Sequence, residues 1–366
     1  MTVATSPDAI IDRLNPVLPP GAVVTDPDLL AGYRQDSAAL CGSHLPVAAV
    51  LPADEAQVQA VVRIAAEYRV PVVPQGALTG LSGAANAVAG GIALNTRRMN
   101  QVLDIDPADR LAVVQPGVTN RELREAAAEH GLTYRPDPSS WESSTIGGNI
   151  ATDAGGLCCV KYGVTRRFVR RLRVVLADGR ATAVGRRTIK GVAGLSLTEL
   201  FIGSEGTLGV ITEATVALEP ESAAPLTLAA TFPDAASAGQ AVAAVRAAGI
   251  VPSLFELLDR TVLRAIEDHA RMGLGEAGAL VIAQSDAGPE APTQLARISD
   301  ACASAGALDV AVAEDQIESD QLVQARRLAY PALEALGSPL VETSPCPSPH
   351  SPRQSTTSRP SRRPTV

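Results

Sequence analysis

Apolar positions in residues 54–69 recur at helical spacing, with Val58, Val61, Val62 and Ala65 on one face, and this predicts an amphipathic helix. Residues 70–73 form an apolar run that predicts a strand leading into a Gly-rich turn. Residues 91–95, 102–106 and 111–115 read as further short strands. Thr119 and Glu122 stand at capping-box spacing, and the helix they open is expected to stop at His130-Gly131. Residues 172–177, then Asp178-Gly179, then 181–184 read as strand, tight turn and strand. Residues 207–218 end in the alternation of a half-buried strand. Short strands and helices are mixed without a repeating strand-helix-strand array, so the pattern predicts an α+β fold.

After Pro220 the texture changes. Strands are expected at 226–232 and 279–284 and helices at 235–248 and 261–272, a second α+β domain. At Thr343 the pattern breaks. Residues 344–366 hold six Ser, six Pro, four Arg and three Thr, with no Leu, Ile, Phe or Ala. Such a segment buries too little apolar surface to offset its ordering entropy and is expected to be disordered. A GC-rich gene read out of frame past codon 343 would give this composition, and a genuine disordered tail is the alternative.

With 366 residues, the chain is long enough for two domains. Its net charge of −8 argues against nucleic acid as the main partner. The tail holds four of the 31 basic residues and no acid, so the remainder carries 27 basic against 39 acidic residues, or −12. No apolar run approaches the ~18 residues that span a bilayer. Asp8 and Asp12 lie where a signal peptide needs a basic start and an apolar run. Five scattered Cys argue against a disulfide framework and for a reducing cytoplasm, with peripheral membrane association left open.

Three small-residue segments carry the candidate chemistry: 74–83 (PQGALTGLSG), 135–163 (RPDPSSWESSTIGGNIATDAGGLCCVKYG) and 203–209 (GSEGTLG). The second has no positive side chain between Arg135 and Lys161. An anion held there would be held by backbone N–H groups, which glycine brings close and lets turn to positive φ. An ordinary strand-to-loop turn is the alternative for the first segment taken alone. A Rossmann fingerprint is excluded by the spacing of GSEGTLG and by its continuation into a strand, and no Walker loop exists. The four His form no H-x-H or H-E-x-x-H pair, and adjacent Cys158-Cys159 read as packing residues.

In this order the segments resemble the FAD-binding domain of the vanillyl-alcohol-oxidase-like (PCMH-type) flavoproteins, in particular the branch of D-lactate dehydrogenase, the glycolate oxidase FAD subunit and D-2-hydroxyglutarate dehydrogenase. The resemblance runs from about Leu45 to Pro220 and more weakly to about Glu342. It implies an N-terminal helical extension (1–41), a PCMH-type FAD-binding domain of two α+β subdomains (42–220), an incomplete α+β cap that builds the substrate pocket (221–343), and the tail (344–366).

For FAD, the resemblance implies contacts from Pro74, Gly76, Ala77, Leu78, Thr79, Gly80, Leu81, Ser82 and Gly83. It further implies contacts from Gly117, Pro138, Thr145, Ile146, Gly147, Asn149, Ala151, Gly155 and Gly156, and from Glu205, Gly209 and Ile211. Relatives that bind flavin covalently often use a His near the position of Thr79, so attachment here is expected to be non-covalent. The implied reaction is oxidation of a small 2-hydroxy acid by hydride transfer to flavin, with electrons passed on to an unknown acceptor. Arg326, or its neighbour Arg327, would take the substrate carboxylate; Glu256 is a further pocket candidate, and Glu342 begins the family's acidic segment. The His-rich segment that holds a divalent metal in many of these dehydrogenases is missing. A catalytically impaired FAD-binding remnant, or an alcohol or sugar oxidase of the same superfamily, are the alternatives.

Overall fold

Helix α1 (Pro7–Leu14) places Ile10 and Leu14 one turn apart, and both are buried in the same core. The structure is a computed structural model that describes residues 7–337 except 39 and 275, together with 339. The described residues fall into two units. The first holds the chain up to Gly156 and again Gly163–Glu221; the second holds Leu157–Tyr162 and the chain from Ser222 onward.

In the first unit, β1 (Val23–Val24) precedes the short helix α2 (Pro27–Leu30) and pairs antiparallel with β2 (Ala48–Val50). Helix α3 (Glu55–Tyr68) leads to β3 (Val72–Gln75), and β2 and β3 both run parallel to β4 (Ile92–Asn95), giving the order β1-β2-β4-β3. Asp54 starts α3 by accepting the Gln57 N–H at 2.8 Å, and Arg69 ends it in the left-handed conformation. Val58, Val61, Val62, Ile64 and Ala65 of α3 pack in one core with Ile92, Ala93 and Leu94 of β4. Ile10, Leu14, Leu18, Leu30 and Tyr33 are buried in that core, because their own apolar spacing needs a covering face.

The second sheet follows. Strands β5 (Val102–Asp106) and β6 (Leu111–Val114) come first, then α4 (Asn120–Ala128), β7 (Leu132–Thr133), α5 (Ile146–Thr152) and α6 (Cys159–Tyr162). Strands β8 (Val169–Val175) and β9 (Ala181–Gly185), helix α7 (Thr198–Phe201), and strands β10 (Val210–Ala217) and β11 (Glu219–Pro220) complete the unit, with β11 pairing with β7. The order is β5-β6-β10-β8-β9, antiparallel throughout. At one end of central β10, Val210 faces Val175; at the other, Ala217 faces Leu111. The expected capping box at Thr119 and Glu122 is present, and so is the hairpin turn, with Gly179 at φ 78°.

Glu55, in the first turn of α3, receives Arg173 of β8 through both oxygens at 2.5 and 2.9 Å, and the Thr212 hydroxyl of β10 at 2.7 Å. The Arg173 bond lowers the Glu55 pKa below the usual carboxylate value against an opposing effect of burial. Its stabilisation is therefore full above the unfolded value of about 4.3 and fades as pH falls through the lower folded one. Glu55→Gln is expected to cost about 1–2 kcal/mol at pH 7, discounted because Arg173 is partly exposed. Urea melts should show the gap narrowing on acidification toward pH 3; an unchanged gap would show that the charge is not its source.

The second unit is a four-stranded antiparallel sheet between helices. It comprises β12 (Leu226–Phe232), α8 (Ala235–Ala247), β13 (Leu254–Asp259), α9 (Arg260–Ala270), β14 (Ala279–Ser285), α10 (Ala291–Ser304), β15 (Asp309–Val312), α11 (Gln316–Arg327) and α12 (Ala329–Leu336). The strand order is β13-β14-β12-β15. Ala279, Val281 and Ala283 pack with α8 and α10, while Leu280 and Ile282 pack with α9 and α12. This two-sided burial explains why 279–284 reads as an unbroken apolar run. Leu157 joins the second of these cores. Asp286, with a nearly buried side chain, receives the Lys161 ammonium at 2.5 Å and the Tyr162 hydroxyl. Glu342 and residues 344–366 lie outside the described residues.

Candidate functional site

Strand β3 delivers the first small-residue segment. At its end the buried Gln75 amide donates to the carbonyls of Tyr33 and Ala85, both at 2.8 Å, and Asn95 donates to the Gly76 carbonyl at 2.9 Å. Asp36, also buried, accepts the Gly83 N–H at 3.1 Å, and Ser37 donates its N–H to the Gly80 carbonyl at 2.9 Å. These bonds fasten the turn at both ends and at the Gly80 carbonyl, and leave its N–H groups open. The N–H groups of residues 77–82 have no acceptor among the described residues. Leu78 holds a left-handed φ of 61° without being glycine, a conformation that non-glycine residues adopt rarely.

The second segment differs from expectation. Within it, residues 146–152 form helix α5, capped by Thr145, whose hydroxyl accepts from Gly148 N–H. Its amides are already used. Ile146 donates to Val118, Gly147 to Pro116 and Asn149 to Thr145, all at 2.8 Å to carbonyl oxygens. Main-chain anion binding by 146–149 is thereby ruled out as these groups stand. What the helix offers is the Asn149 amide nitrogen, buried without a partner among the described residues. The Ser144 hydroxyl beside it is likewise buried and unpartnered.

Close approach joins the segments. A Cβ on Gly76 would lie 2.4 Å from the Thr145 hydroxyl, and one on Gly147 would lie 2.5 Å from the Pro116 ring. On Gly117 it would lie 2.4 Å from the Thr96 carbonyl oxygen, and on Gly156 2.2 Å from that of Asp137. The third segment hangs from α5: Gly203 N–H donates to Ile150 and Glu205 N–H to Ala151. Glu205, at φ 53°, accepts the Ser82 hydroxyl at 3.0 Å, and Gly206 abuts Pro74. One region of the first unit therefore gathers Pro74, Gly76, Ala77, Leu78, Thr79, Gly80, Leu81, Ser82, Gly83, Gly117, Thr145, Ile146, Gly147, Asn149, Ala151 and Glu205. Gly209 opens β10 against the Val175 carbonyl, while Ile211 is a buried member of that strand. Pro138 is buried and accepts from Trp141 N–H, and Gly155 is exposed.

These residues fit a flavin dinucleotide. The open run of donors at 77–82 suits a diphosphate, and the buried, unpartnered Asn149 amide offers a donor to the edge of a polar ring system. They do not supply a divalent metal site, since no group of three or more His, Cys, Asp or Glu comes together among the described residues. In the second unit Arg326 is already engaged, with its Nε 2.5 Å from Glu256. Asp36, Gln75, Asn95, Ser144 and Gly206 went unread in the sequence. Asp36 and Gln75 act through partners some forty residues away, and no short motif marks such a pairing.

Residues 46–185 match the family described as FAD binding domain, and residues 222–353 match FAD linked oxidases, C-terminal domain. The second match runs past the composition break at Thr343. Glycolate oxidase subunit GlcD of Bacillus subtilis is 41% identical over 294 residues, 80% of this chain and 63% of that protein. A D-lactate dehydrogenase of Archaeoglobus fulgidus is 38% identical over 78% of this chain and 63% of its own. An uncharacterised FAD-linked oxidoreductase of Mycobacterium tuberculosis is 36% identical over 86% of this chain and 72% of its own. The chain thus spans less than two thirds of the glycolate oxidase subunits that it matches. Among solved structures, alkyldihydroxyacetonephosphate synthase shares the fold, with a TM-score of 0.75 at 22% identity over 91% of this chain and 64% of that one.

Proposed function

Because the chain belongs to the FAD-linked oxidases that join this FAD-binding domain to this C-terminal domain, we propose that it oxidises a small 2-hydroxy acid of the D-lactate, glycolate or 2-hydroxyglutarate kind, with FAD bound non-covalently. The observation that carries the cofactor part is the run of N–H groups at 77–82, fastened at both ends and open between. Bound FAD supplies an acceptor for the hydride from the carbon that bears the hydroxyl.

The chain's own residues bind and orient. The 77–82 amides hold the diphosphate, and no cationic side chain is needed there because a preset row of N–H dipoles loses no side-chain entropy on binding. Asn149 donates to a ring edge, and Glu205, braced by Ser82, closes the turn opposite. Arg326 is the candidate for the substrate carboxylate. Glu256 holds the guanidinium in place through Nε and leaves its two terminal nitrogens as a fork. An acceptor then takes the electrons onward.

A second reading, an FAD-binding protein without turnover, draws on the same Arg326–Glu256 pair, since an Arg that already has a carboxylate partner has less to gain from a substrate. Anaerobic addition of D-lactate, glycolate and D-2-hydroxyglutarate to the FAD-loaded protein separates the two. Loss of flavin absorbance with one of them is expected. Bound flavin that none of them bleaches would favour the second reading, and failure to take up FAD would overturn both. Peroxide formed under air would identify the electron acceptor as oxygen.

A further inference from the structure

The second sheet has another end. The flavin segments lie where β10 begins, beside Gly209; eight residues later, about 26 Å along the strand, β10 ends at Ala217 beside the start of β6. There the first unit has a cavity of about 380 Å³ whose lining includes Arg110, Arg167, Phe168, Arg170 and Ile189. Arg110, Arg167 and Arg170 make no ion pair among the described residues. Arg170 donates to the Arg167 carbonyl at 2.7 Å, while its buried Nε finds no acceptor. Of the two acids in the lining, Glu219 is taken by Arg135 at 3.4 Å, and Asp109 is exposed and unpaired. The cavity thus gathers cations short of a counter-charge, in a protein whose net charge is −8.

Ile189 ties this cavity to a loop. Along 186–197, Ile189, Val192 and Leu195 are 86%, 90% and 88% exposed, where aliphatic side chains gain about 1.5–3 kcal/mol each on burial. Arg186, Arg187 and Lys190 stand among them, and no Asp or Glu occurs from 179 to 198. Arg187 lies only loosely by Asp104 and Asp106, at 3.6 and 3.9 Å, and Arg186 and Lys190 have no acidic partner among the described residues. Three aliphatics at three-residue spacing on an irregular loop form no groove for a peptide. Aliphatic tips ringed by cations, beside a pocket of guanidinium groups, match an anionic lipid surface in both polarity and charge.

We propose that this end of the first unit docks on an anionic phospholipid surface, with a headgroup phosphate among Arg110, Arg167 and Arg170 and with Ile189, Val192 and Leu195 inserted between acyl chains. No described helix is long and apolar enough to span a membrane, so the contact is peripheral. It is independent of the flavin reading.

Flotation of the full chain with vesicles of phosphatidylcholine alone, or of phosphatidylcholine with phosphatidylglycerol, tests it. Binding at least about tenfold stronger to the anionic vesicles, and weakened by salt, is expected. The exposed-loop variant Ile189→Asp/Val192→Asp/Leu195→Asp should lose it. Arg110→Asn/Arg167→Gln should weaken it, and both variants should melt as the parent does. Equal binding by the loop variant, or no preference for anionic vesicles, would overturn the proposal. So would stabilisation by inorganic phosphate with no vesicle binding, which marks a small-anion site, or a dimer that the loop variant dissolves with no vesicle binding, which marks self-association.

Discussion

Gly117→Ala is expected to emerge from purification with about a tenth or less of the flavin that the parent retains, and Gly147→Ala likewise. At Gly117 the added carbon would meet two main-chain oxygens, 2.4 Å from Thr96 and 2.8 Å from Met99, and at Gly147 it would meet the Pro116 ring and its carbonyl. Neither neighbour can rotate away, so the backbone must shift. Such overpacking costs about 1–3 kcal/mol, and a backbone shift that loses even about 1.4 kcal/mol of binding is tenfold in cofactor affinity. Gly32→Ala, with nothing within 4 Å and no left-handed backbone, serves as the control. Flavin absorbance relative to protein, followed by titration with added FAD, gives the answer. Parent-like occupancy in both variants would mean that the packing at Gly117 and Gly147 does not position the flavin. Should Gly117→Ala fail to fold, Gly76→Ala, whose obstacle is the Thr145 hydroxyl, keeps the question open to measurement.

Asp286→Ala should lower the melting temperature by roughly 5–10 °C, the equivalent of about 2–3 kcal/mol. The side chain is 6% exposed and answers both the Lys161 ammonium and the Tyr162 hydroxyl. Burial works to raise its pKa, but the Lys161 and Tyr162 bonds outweigh burial and hold it below the usual aspartate value. Its contribution is therefore complete above the unfolded value of about 3.9 and declines as pH drops through the folded one. Removing the carboxylate leaves a half-buried ammonium without its partner, which is worse than removing both. Lys161→Met on the Asp286→Ala background is accordingly expected to recover part of the loss. If calorimetry finds the single variant within a degree of the parent, the cluster carries no stability.

What could be read from the sequence was local. The start of α3 at Asp54, the capping box at Thr119 and the turn at Asp178-Gly179 each depend on residues within four positions, and each is found where the spacing predicts it. Helix α5 was hidden because two adjacent glycines argue against a helix, and what overrides them is a cap from Thr145 and bonds from its first turn to 116–118. The two Gly-rich runs look alike as strings. Only tertiary bonding separates the one with open amides, at 77–82, from the one whose amides are spoken for, at 146–149. Arg326 and Glu256 each stand out as pocket candidates, but their pairing spans 70 residues, beyond any periodicity.

The excursion Leu157–Tyr162 also bears on how the chain is made. Asp286 follows Lys161 by 125 residues. A nascent polypeptide leaving the ribosome therefore exposes Leu157 and Lys161 long before the strand that will receive them has been translated. The earlier unit can close its two sheets only around a loop that dangles, and the later one must reach back upstream for a missing piece of its own interior. Vectorial synthesis and spatial assembly thus run out of step at this point, and a fragment starting at Ser222 would be born lacking a part that no downstream residue replaces.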